Sequence, residues 1–506
     1  MIEDFWNELS EGEIHVRDTL QFELKTEFII NPHIKQNIYK QEVFLFIPSS
    51  LQINSQTYSK QQFYLDQTNL IRYKTPVMTL SEMANPDYPP SPLNCLQELL
   101  NKNESEFFFE MASDELKLFA AIFRATLRGR VHELIKSFMH LETKDQEKLK
   151  HSVTLLCSEI TNICHKYRQL LDTAYSHSNQ HQLTLHFKYI DEFISIAIDE
   201  FLILLLKEVR SSEQQNYYME KQICQIILKE KLYRKKKHIS LKSSKGHLPA
   251  NESILYRQGL LNRFVLEALM LKYYRFSLEE KHAHLLGAAA AGIAMFVYMI
   301  VLMWNSPGFV INSFPLVALV VFLYILKDRI KEGFKNLYFK QAYRWFPDYS
   351  TEIQSPKGIK IGKLKENFAF IEPKQLPPGF LNIRNHHFNE ELQALQRHEK
   401  IIQYKREMIL NPARSTENRR RELTTIFRLN IHRFLQNASN AFQFNLTLDS
   451  YTQEISERLL PKVYHLNLII RNTYLQDDLI SKEEIKTFRV VVDKVGIKRV
   501  EHLKST

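Results

Sequence analysis

The sequence predicts a multidomain α+β membrane protein with a β-rich N-terminal module, a cytoplasmic helical bundle, a two-helix transmembrane hairpin and a C-terminal α+β domain. Three observations lead to this prediction. Residues 285–326 carry no charged side chain, apolar and polar side chains alternate over residues 13–30, and from residue 93 apolar side chains recur with the period of a helix. The 506 residues are enough for two or three domains. The predicted boundaries are 1–80 for the β-rich module, 81–92 for a Pro-rich linker, 93–282 for the bundle, 283–326 for the hairpin, 327–350 for a juxtamembrane amphipathic helix and 351–506 for the C-terminal domain.

The opening is predicted to be β-structure because apolar and polar side chains alternate over residues 13–30. A period of two places one face of a strand in a core and the other in solvent. A continuous apolar run, 43–47, ends at Pro48 and predicts a further strand. These segments give the β-rich module.

From residue 93 the apolar side chains recur at spacings of three and four, which indicates a bundle of amphipathic helices. The broadest apolar stripe runs from Ile190 to Leu205. No proline lies between Asn251 and Trp304, so the last helix of the bundle is predicted to continue into the hairpin.

The hairpin prediction rests on two apolar blocks, 285–304 and 309–326, each close to the roughly 20 residues that span a bilayer. Pro307 and Gly308 between them suit a type II turn. The basic residues on both outer flanks place both termini in the cytoplasm, and a bacterial inner membrane is the expected location. The predicted partners are therefore the bilayer and its anionic headgroups, contacted by Lys272, Arg275, Lys281, Lys327, Arg329, Lys331 and Lys335.

The C-terminal domain is predicted to combine helices at 388–410 and 416–437 with strands in the tail. The tail strands alternate with period two, and residues 493–496 form a turn in which Gly496 takes a positive φ.

Three polar features have competing interpretations. The basic run 229–245 fits a solvated helix end, a lipid-binding surface or a nucleic-acid contact, and nucleic acid is the partner least expected. The carboxylates Asp191, Glu192, Asp199 and Glu200 fit a solvated helix face better than metal binding or acid–base work. The four cysteines follow no disulfide pattern, and the spacing of Cys157 and Cys164 matches no zinc pattern, so these two are expected in the core, on a helix.

The sequence contains no phosphate-binding glycine loop, no nucleophile elbow and no HExxH motif, so no catalytic residue, metal or cofactor is assigned. The leading hypothesis is a membrane-anchored scaffold or regulatory protein, with a second copy or a different protein as its protein partner. The alternatives are a membrane-associated enzyme that uses His386, His387, His465 and Arg489, and an oligomeric membrane-perturbing effector.

Overall fold

The structure is a computed structural model. It describes residues 14–31, 33–102, 108–139, 146–177, 181–211, 217–237, 248–277, 347–356, 358–385, 399–411, 422–448, 455–476 and 479–503, together with short helical pieces between 288 and 333. The chain forms two compact units. The β unit takes its residues from Met1–Arg72, Leu271–Thr416 and Glu422–Thr506, and the helical unit from Tyr73–Met270.

The elements used below have the following bounds. The strands are β1 (Ile14–Asp18), β2 (Gln21–Ile29), β3 (Asn37–Pro48), β4 (Gln67–Tyr73), β5 (Lys272–Ser277), β6 (Tyr349–Gln354), β7 (Lys360–Ile371), β8 (Glu399–Leu410), β9 (Glu422–Asn430), β10 (Phe442–Leu448), β11 (Ile455–Pro461), β12 (Tyr464–Gln476), β13 (Leu479–Val492) and β14 (Ile497–Leu503). The helices are α1 (Lys60–Asp66), α2 (Leu80–Ala84), α3 (Pro92–Lys102), α4 (Phe108–Met139), α5 (Gln146–His177), α6 (His181–Ser211), α7 (Tyr217–Lys237), α8 (Leu248–Leu266), α9 (Phe380–Asn385) and α10 (His432–Leu435).

The β unit is built from two main sheets and a separate hairpin. One sheet has the strand order β14-β13-β12-β3-β8-β7-β6-β5, the other has the order β1-β2-β9-β4, and β10 pairs with β11. Strands from the start of the chain thus lie between strands from its end. β3 pairs with both β12 and β8, and β2 pairs with β9.

The core of the β unit collects the apolar side chains that face inward from both sheets. Leu24, Leu45, Phe427 and Leu468 all belong to this cluster and are 1–3% exposed. Each side chain buried in this way contributes about 1.5–3 kcal/mol through loss of apolar surface to water. Phe63 of α1 packs into the same core.

A second, smaller cluster lies on the outer face of the eight-stranded sheet. Phe44 and Phe46 of β3 pack there with Ile401 and Ile469 under Phe380 of α9. The ring centroids of Phe44 and Phe380 are 5.1 Å apart in a T-shaped pair. Both faces of β3 are therefore buried at this end, which explains why residues 43–47 form a continuous apolar run instead of alternating.

The helical unit confirms the apolar stripe predicted for α6. Ile190, Ile198 and Leu202 are completely buried, and Phe193 and Phe201 are nearly so. The prediction of one continuous helix beyond this unit is wrong, because α8 ends at Leu266 and the chain continues as β5 from Lys272. The absence of proline permits a long helix but does not enforce one.

The predicted membrane fold is also wrong. Within the part of the chain that the structure describes, no helix is long and apolar enough to cross a membrane. The transmembrane hairpin and the inner-membrane location are therefore not supported. A charge-free run predicts a span only where it forms one apolar helix of about 20 residues, and no helix among the described residues of 285–326 meets that condition. Pro307 and Gly308 lie outside the described residues, as does most of the predicted amphipathic helix 327–350.

Two segments predicted as helices contain strands. Residues 399–410 form β8, and residues 422–430 form β9. In β8 the side chains of Ile402, Tyr404 and Met408 are buried at every second position. The period of two was present in these segments, but their Glu, Lys and Arg content favours helix in isolated chains, and sheet pairing overrides that preference.

Candidate functional site

The outer face of the eight-stranded sheet carries an open groove of about 650 Å³. We call it the charged groove and define it by six side chains that line it: Lys40, Glu42, Lys365, Lys405, Glu407 and Arg471. They come from β3, β7, β8 and β12, four adjacent strands of the sheet.

The strand register brings opposite charges side by side in the groove. Lys40 of β3 lies opposite Glu407 of β8, and Glu407 lies opposite Lys365 of β7. In the next row Glu42 lies between Lys405 and Arg471. All six side chains point to the same face because residues two apart on a strand share a side of the sheet.

Each carboxylate is shared by two basic side chains. The Nζ atom of Lys365 lies 3.0 Å from Glu407 Oε2, and that of Lys40 lies 3.6 Å from Glu407 Oε1. The Nζ atom of Lys405 lies 3.2 Å from Glu42 Oε1. Arg471 donates from Nε to Glu42 Oε2 at 2.7 Å.

The groove therefore presents a net positive charge. Four basic side chains minus two carboxylates leaves a formal excess of two. The amines are also the outermost groups, since the side chains of Lys40 and Lys405 are 49% and 51% exposed, whereas that of Glu42 is 15% exposed. Glu483 on β13 lies at the rim, 3.9 Å from the outer nitrogen of Arg471. An anion therefore reaches the amines of Lys40 and Lys405 more readily than it reaches the shared carboxylates of Glu42 and Glu407.

The groove has an apolar border. Ala369 and Ile371 of β7 line it, and Ile371 also packs against the outer cluster beneath α9. Gln403, in the same wall, donates a hydrogen bond from Nε2 to Glu42 Oε1 at 3.4 Å. The site thus offers cations next to a hydrophobic surface.

Behind the groove, on the inner side of the same strands, lies a closed polar network around Glu366. Glu366 is 1% exposed and accepts hydrogen bonds from Tyr404 Oη at 2.5 Å and Asn69 Nδ2 at 2.6 Å. Arg406 donates to Asn69 Oδ1 at 3.2 Å and to Gln41 Oε1.

Burial lowers the pKa of Arg406. Burial, followed by the charge of Glu366, raises the pKa of Tyr404 well above its ordinary value. Tyr404, Glu366 and Arg406 are 1%, 1% and 5% exposed, and through Asn69 of β4 the network joins the two sheets.

Of the residues named in the enzyme hypothesis, the structure describes His465 and Arg489. They lie near each other on β12 and β13, where Arg489 donates to Asn467 Oδ1 at 3.3 Å and lies 3.4 Å from Glu501 Oε2. Burial, followed by the charge of Arg489, lowers the pKa of His465. His386 and His387 lie outside the described residues. In the described ranges, no group of three or more His, Cys, Asp or Glu side chains could hold a metal ion.

The carboxylates of α6 are not a solvated face, which corrects the sequence-based interpretation. Asp191 and Glu192 are 2% and 5% exposed. Arg168 of α5 lies 3.2 Å from Asp191 Oδ1, and Arg257 of α8 lies 2.6 Å from Glu192 Oε1. Their burial is possible because each has a cationic partner on a neighbouring helix, and no spacing within α6 could reveal partners on other helices.

The other two carboxylates of α6 also take partners from elsewhere in the helical unit. Asp199 lies 2.8 Å from Arg234, in the basic run, and Glu200 lies 3.5 Å from Arg124. Residues 238–245 of the basic run lie outside the described part. Cys157 and Cys164 are buried, as the sequence predicted.

The residues predicted to contact lipid headgroups are spread over several environments. Arg275 packs over the Tyr349 ring at 3.9 Å and lies 3.3 Å from Glu366 Oε2. Lys272 is exposed on β5, and Lys327 lies 4.1 Å from the ring centroid of Tyr324. The remaining members are Arg329, which lies 3.7 Å from Glu332, and Lys281, Lys331 and Lys335, which lie outside the described residues. Headgroup contact at these positions stays a prediction.

Comparison with family models, with curated proteins and with solved structures found no match to this chain. The charged groove was missed at the sequence level because β8 was predicted as helix. The usable signal was the alternation in residues 401–410, where Gln403, Lys405 and Glu407 occupy every second position.

Proposed function

We propose that this protein is a non-catalytic scaffold or regulatory protein that binds an acidic segment of a partner protein in the charged groove. The observation that carries the proposal is the sharing of two carboxylates among four basic side chains, with the amines outermost. Exposed ion pairs are worth about 0–1 kcal/mol, so carboxylates of a partner can compete with Glu42 and Glu407 for the same amines.

The shape of the groove favours an extended peptide over a small ion. Its basic side chains come from four adjacent strands, which lie about 4.8 Å apart. The span from β7 to β12 is therefore on the order of 15 Å, the length of about four or five extended residues. The border at Ala369 and Ile371 suits an apolar side chain beside the acidic ones.

The binding should depend strongly on ionic strength. Charges on an exposed face are screened over a Debye length of about 8 Å at physiological salt. Complementary charge raises the association rate and selects partners more than it raises affinity. We therefore expect a moderate affinity that falls as salt is added.

The test is fluorescence anisotropy with a labelled peptide of alternating Glu and Leu, and with a Lys–Leu peptide as the probe of opposite charge. Lys365→Glu combined with Lys405→Glu reverses the excess charge and should weaken binding of the acidic peptide at least about tenfold, because like charges placed together are repulsive. The control is Lys400→Glu, an exposed lysine on β8 that does not line the groove, which makes half the charge change of the double variant. It should change binding by less than about twofold, since a distant surface charge is screened.

Two results would count against the proposal. One is equal weakening by Lys400→Glu, which would indicate nonspecific attraction to a basic protein. The other is stronger binding of the Lys–Leu peptide than of the Glu–Leu peptide by the unmodified chain at low salt.

A further inference from the structure

The β unit carries a hairpin whose apolar face is uncovered. β10 and β11 pair with Phe444 opposite Leu459 and Leu448 opposite Ile455. Phe442 and Leu446 share this face, which we call the apolar hairpin face. The opposite face carries mainly polar side chains: Gln443, Asn445, Thr447, Ser456 and Arg458.

The exposure of this face is unusual for a strand pattern of period two. Phe444 is 74% exposed, Leu448 66% and Ile455 71%. In β12 the same alternation buries Leu466 and Leu468 to 0% and 1% exposed. Alternation of this kind normally marks a face packed against another layer, and among the described residues no layer packs on this one.

The face is large enough for an interface between two molecules. Its apolar side chains expose on the order of 500 Å², taking about 200 Å² for a whole Phe and about 100 Å² for a whole Leu or Ile. The largest apolar patches of monomeric proteins are about 300–600 Å², and such patches often mark interaction sites. Two copies packed face to face would bury about 1,000 Å², which is the lower limit for a specific interface.

We propose that a second copy of this chain covers the apolar hairpin face, so that two hairpins pack face to face about a two-fold axis. A face of Phe and Leu side chains can pack against an identical face, as an isologous interface requires. Glu457, the charged residue on this face, lies on β11 opposite Leu446. The apolar side chains on β10 are uninterrupted by charge, so we place the centre of the contact over β10. The area at the lower limit implies a weak dimer with a dissociation constant in the micromolar range.

The experiment measures the mass of the full chain in solution over a concentration series by sedimentation equilibrium. The unmodified chain should shift from monomer to dimer at micromolar concentration. Phe444→Lys should weaken the dimer by at least tenfold, whereas Asn445→Lys, with the same added charge on the opposite face of the same strand, should leave it unchanged. Leu448→Lys is a second variant on the apolar face, and thermal unfolding checks that each variant remains folded.

A competing source of self-association is present, because Phe296 and Phe322 in the helical pieces are 67% and 61% exposed. Phe296→Lys therefore serves as a further comparison. The proposal is overturned if the unmodified chain stays monomeric at about 100 μM, a concentration well above micromolar affinity. It is also overturned if Phe296→Lys abolishes the dimer while Phe444→Lys and Leu448→Lys retain it.

Discussion

Arg168 and Glu230 form a two-point ion pair inside the helical unit. The Nη1 atom of Arg168 donates to Oε1 of Glu230 at 3.0 Å, and Nη2 donates to Oε2 at 2.7 Å. Ser195 donates to the same Oε2 at 2.7 Å, and the guanidinium packs 3.7 Å over the Tyr233 ring. Arg168, whose side chain is 20% exposed, therefore joins α5 to α6 and α7 through a glutamate that is only 5% exposed.

Removing one partner of this pair should be far more costly than removing an exposed pair. Glu230→Ala leaves the buried guanidinium without its two-point acceptor, and we expect a loss of about 3–5 kcal/mol in the free energy of unfolding. Glu220→Ala removes the exposed contact with Arg210, which solvent screens, and should lower the free energy of unfolding far less. Denaturant unfolding followed by the helical circular dichroism signal measures both. Similar losses in the two variants would show that burial does not set the strength of the Arg168 pair.

Two glycines should respond in opposite directions to substitution by alanine. A Cβ atom on Gly362 in β7 would lie 2.3 Å from the carbonyl oxygen of Ile409 in β8, and a backbone atom cannot move aside cheaply. Gly362→Ala should therefore destabilise the β unit by about 1–3 kcal/mol. Gly129 in α4 has open space around its Cβ position, so Gly129→Ala should stabilise the helical unit by about 0.5–1 kcal/mol. Thermal unfolding midpoints that move in the same direction for both would contradict this account.

The stability of the helical unit should fall as the pH drops below about 6.5. Burial, and then the charge of Lys117, lower the pKa of His186, whereas Glu267 raises it. His186 also shares a hydrogen bond of 2.9 Å with Ser113. A folded pKa below the unfolded value means that the neutral imidazole is the stable folded form. Its contribution is complete above the unfolded pKa and is lost as the pH falls towards the folded pKa.

The measurement is the free energy of unfolding at a series of pH values between 7.5 and 5. His186→Gln should flatten the decline over this window, because a glutamine gains no proton. His151→Gln, an exposed position on α5, is the matched control. An unchanged pH profile in His186→Gln would remove His186 from the explanation.

A capping box at the start of α2 should contribute measurably to the helical unit. The backbone amide of Glu82 donates to Thr79 Oγ1 at 3.2 Å, and the backbone amide of Thr79 donates to Glu82 Oε2 at 2.8 Å. The backbone amide of Thr79 and its hydroxyl both donate to the Glu82 carboxylate, and these two hydrogen bonds lower the pKa of Glu82. Thr79→Ala should cost about 0.5–2 kcal/mol. Thr161→Ala, in the interior of α5, is the comparison and should cost less, since alanine has the higher helix propensity. Equal costs would mean that the cap contributes nothing of its own.

The sequence predicted those elements whose burial pattern lies within one segment. The alternation at 13–30 gave β1 and β2, and the stripe from Ile190 to Leu205 gave the buried face of α6. The turn at Gly496 was also predicted correctly, with a φ of 156° and Asp493 accepting from its amide at 2.9 Å. In each case the deciding interaction is local or depends only on which face is apolar.

The sequence could not predict features that depend on distant partners. Asp191 appears solvated until Arg168 is placed beside it by another helix. The charged groove exists only because β3 lies between β8 and β12, which brings Glu42 next to residues more than 360 positions away. The order of strands in a sheet cannot be read from the composition of any one strand, so neither the charged groove nor the Glu366 network could be predicted from the sequence.

The position of β3 has a consequence for how the chain folds. Of its neighbours in the sheet, β8 begins about 350 residues after β3 ends and β12 more than 400 residues after it, so both are made after residues 73–270 of the helical unit. Contacts between residues so far apart in the sequence form slowly, because closing the large loop costs conformational entropy before the contacts can stabilise the chain. The helical unit depends on contacts between residues closer in the sequence and can fold first, while β3, one of the strands at the start of the chain, has no partner strand. Until the last strands emerge from the ribosome, those early strands are open to aggregation and to chaperones that bind exposed apolar segments.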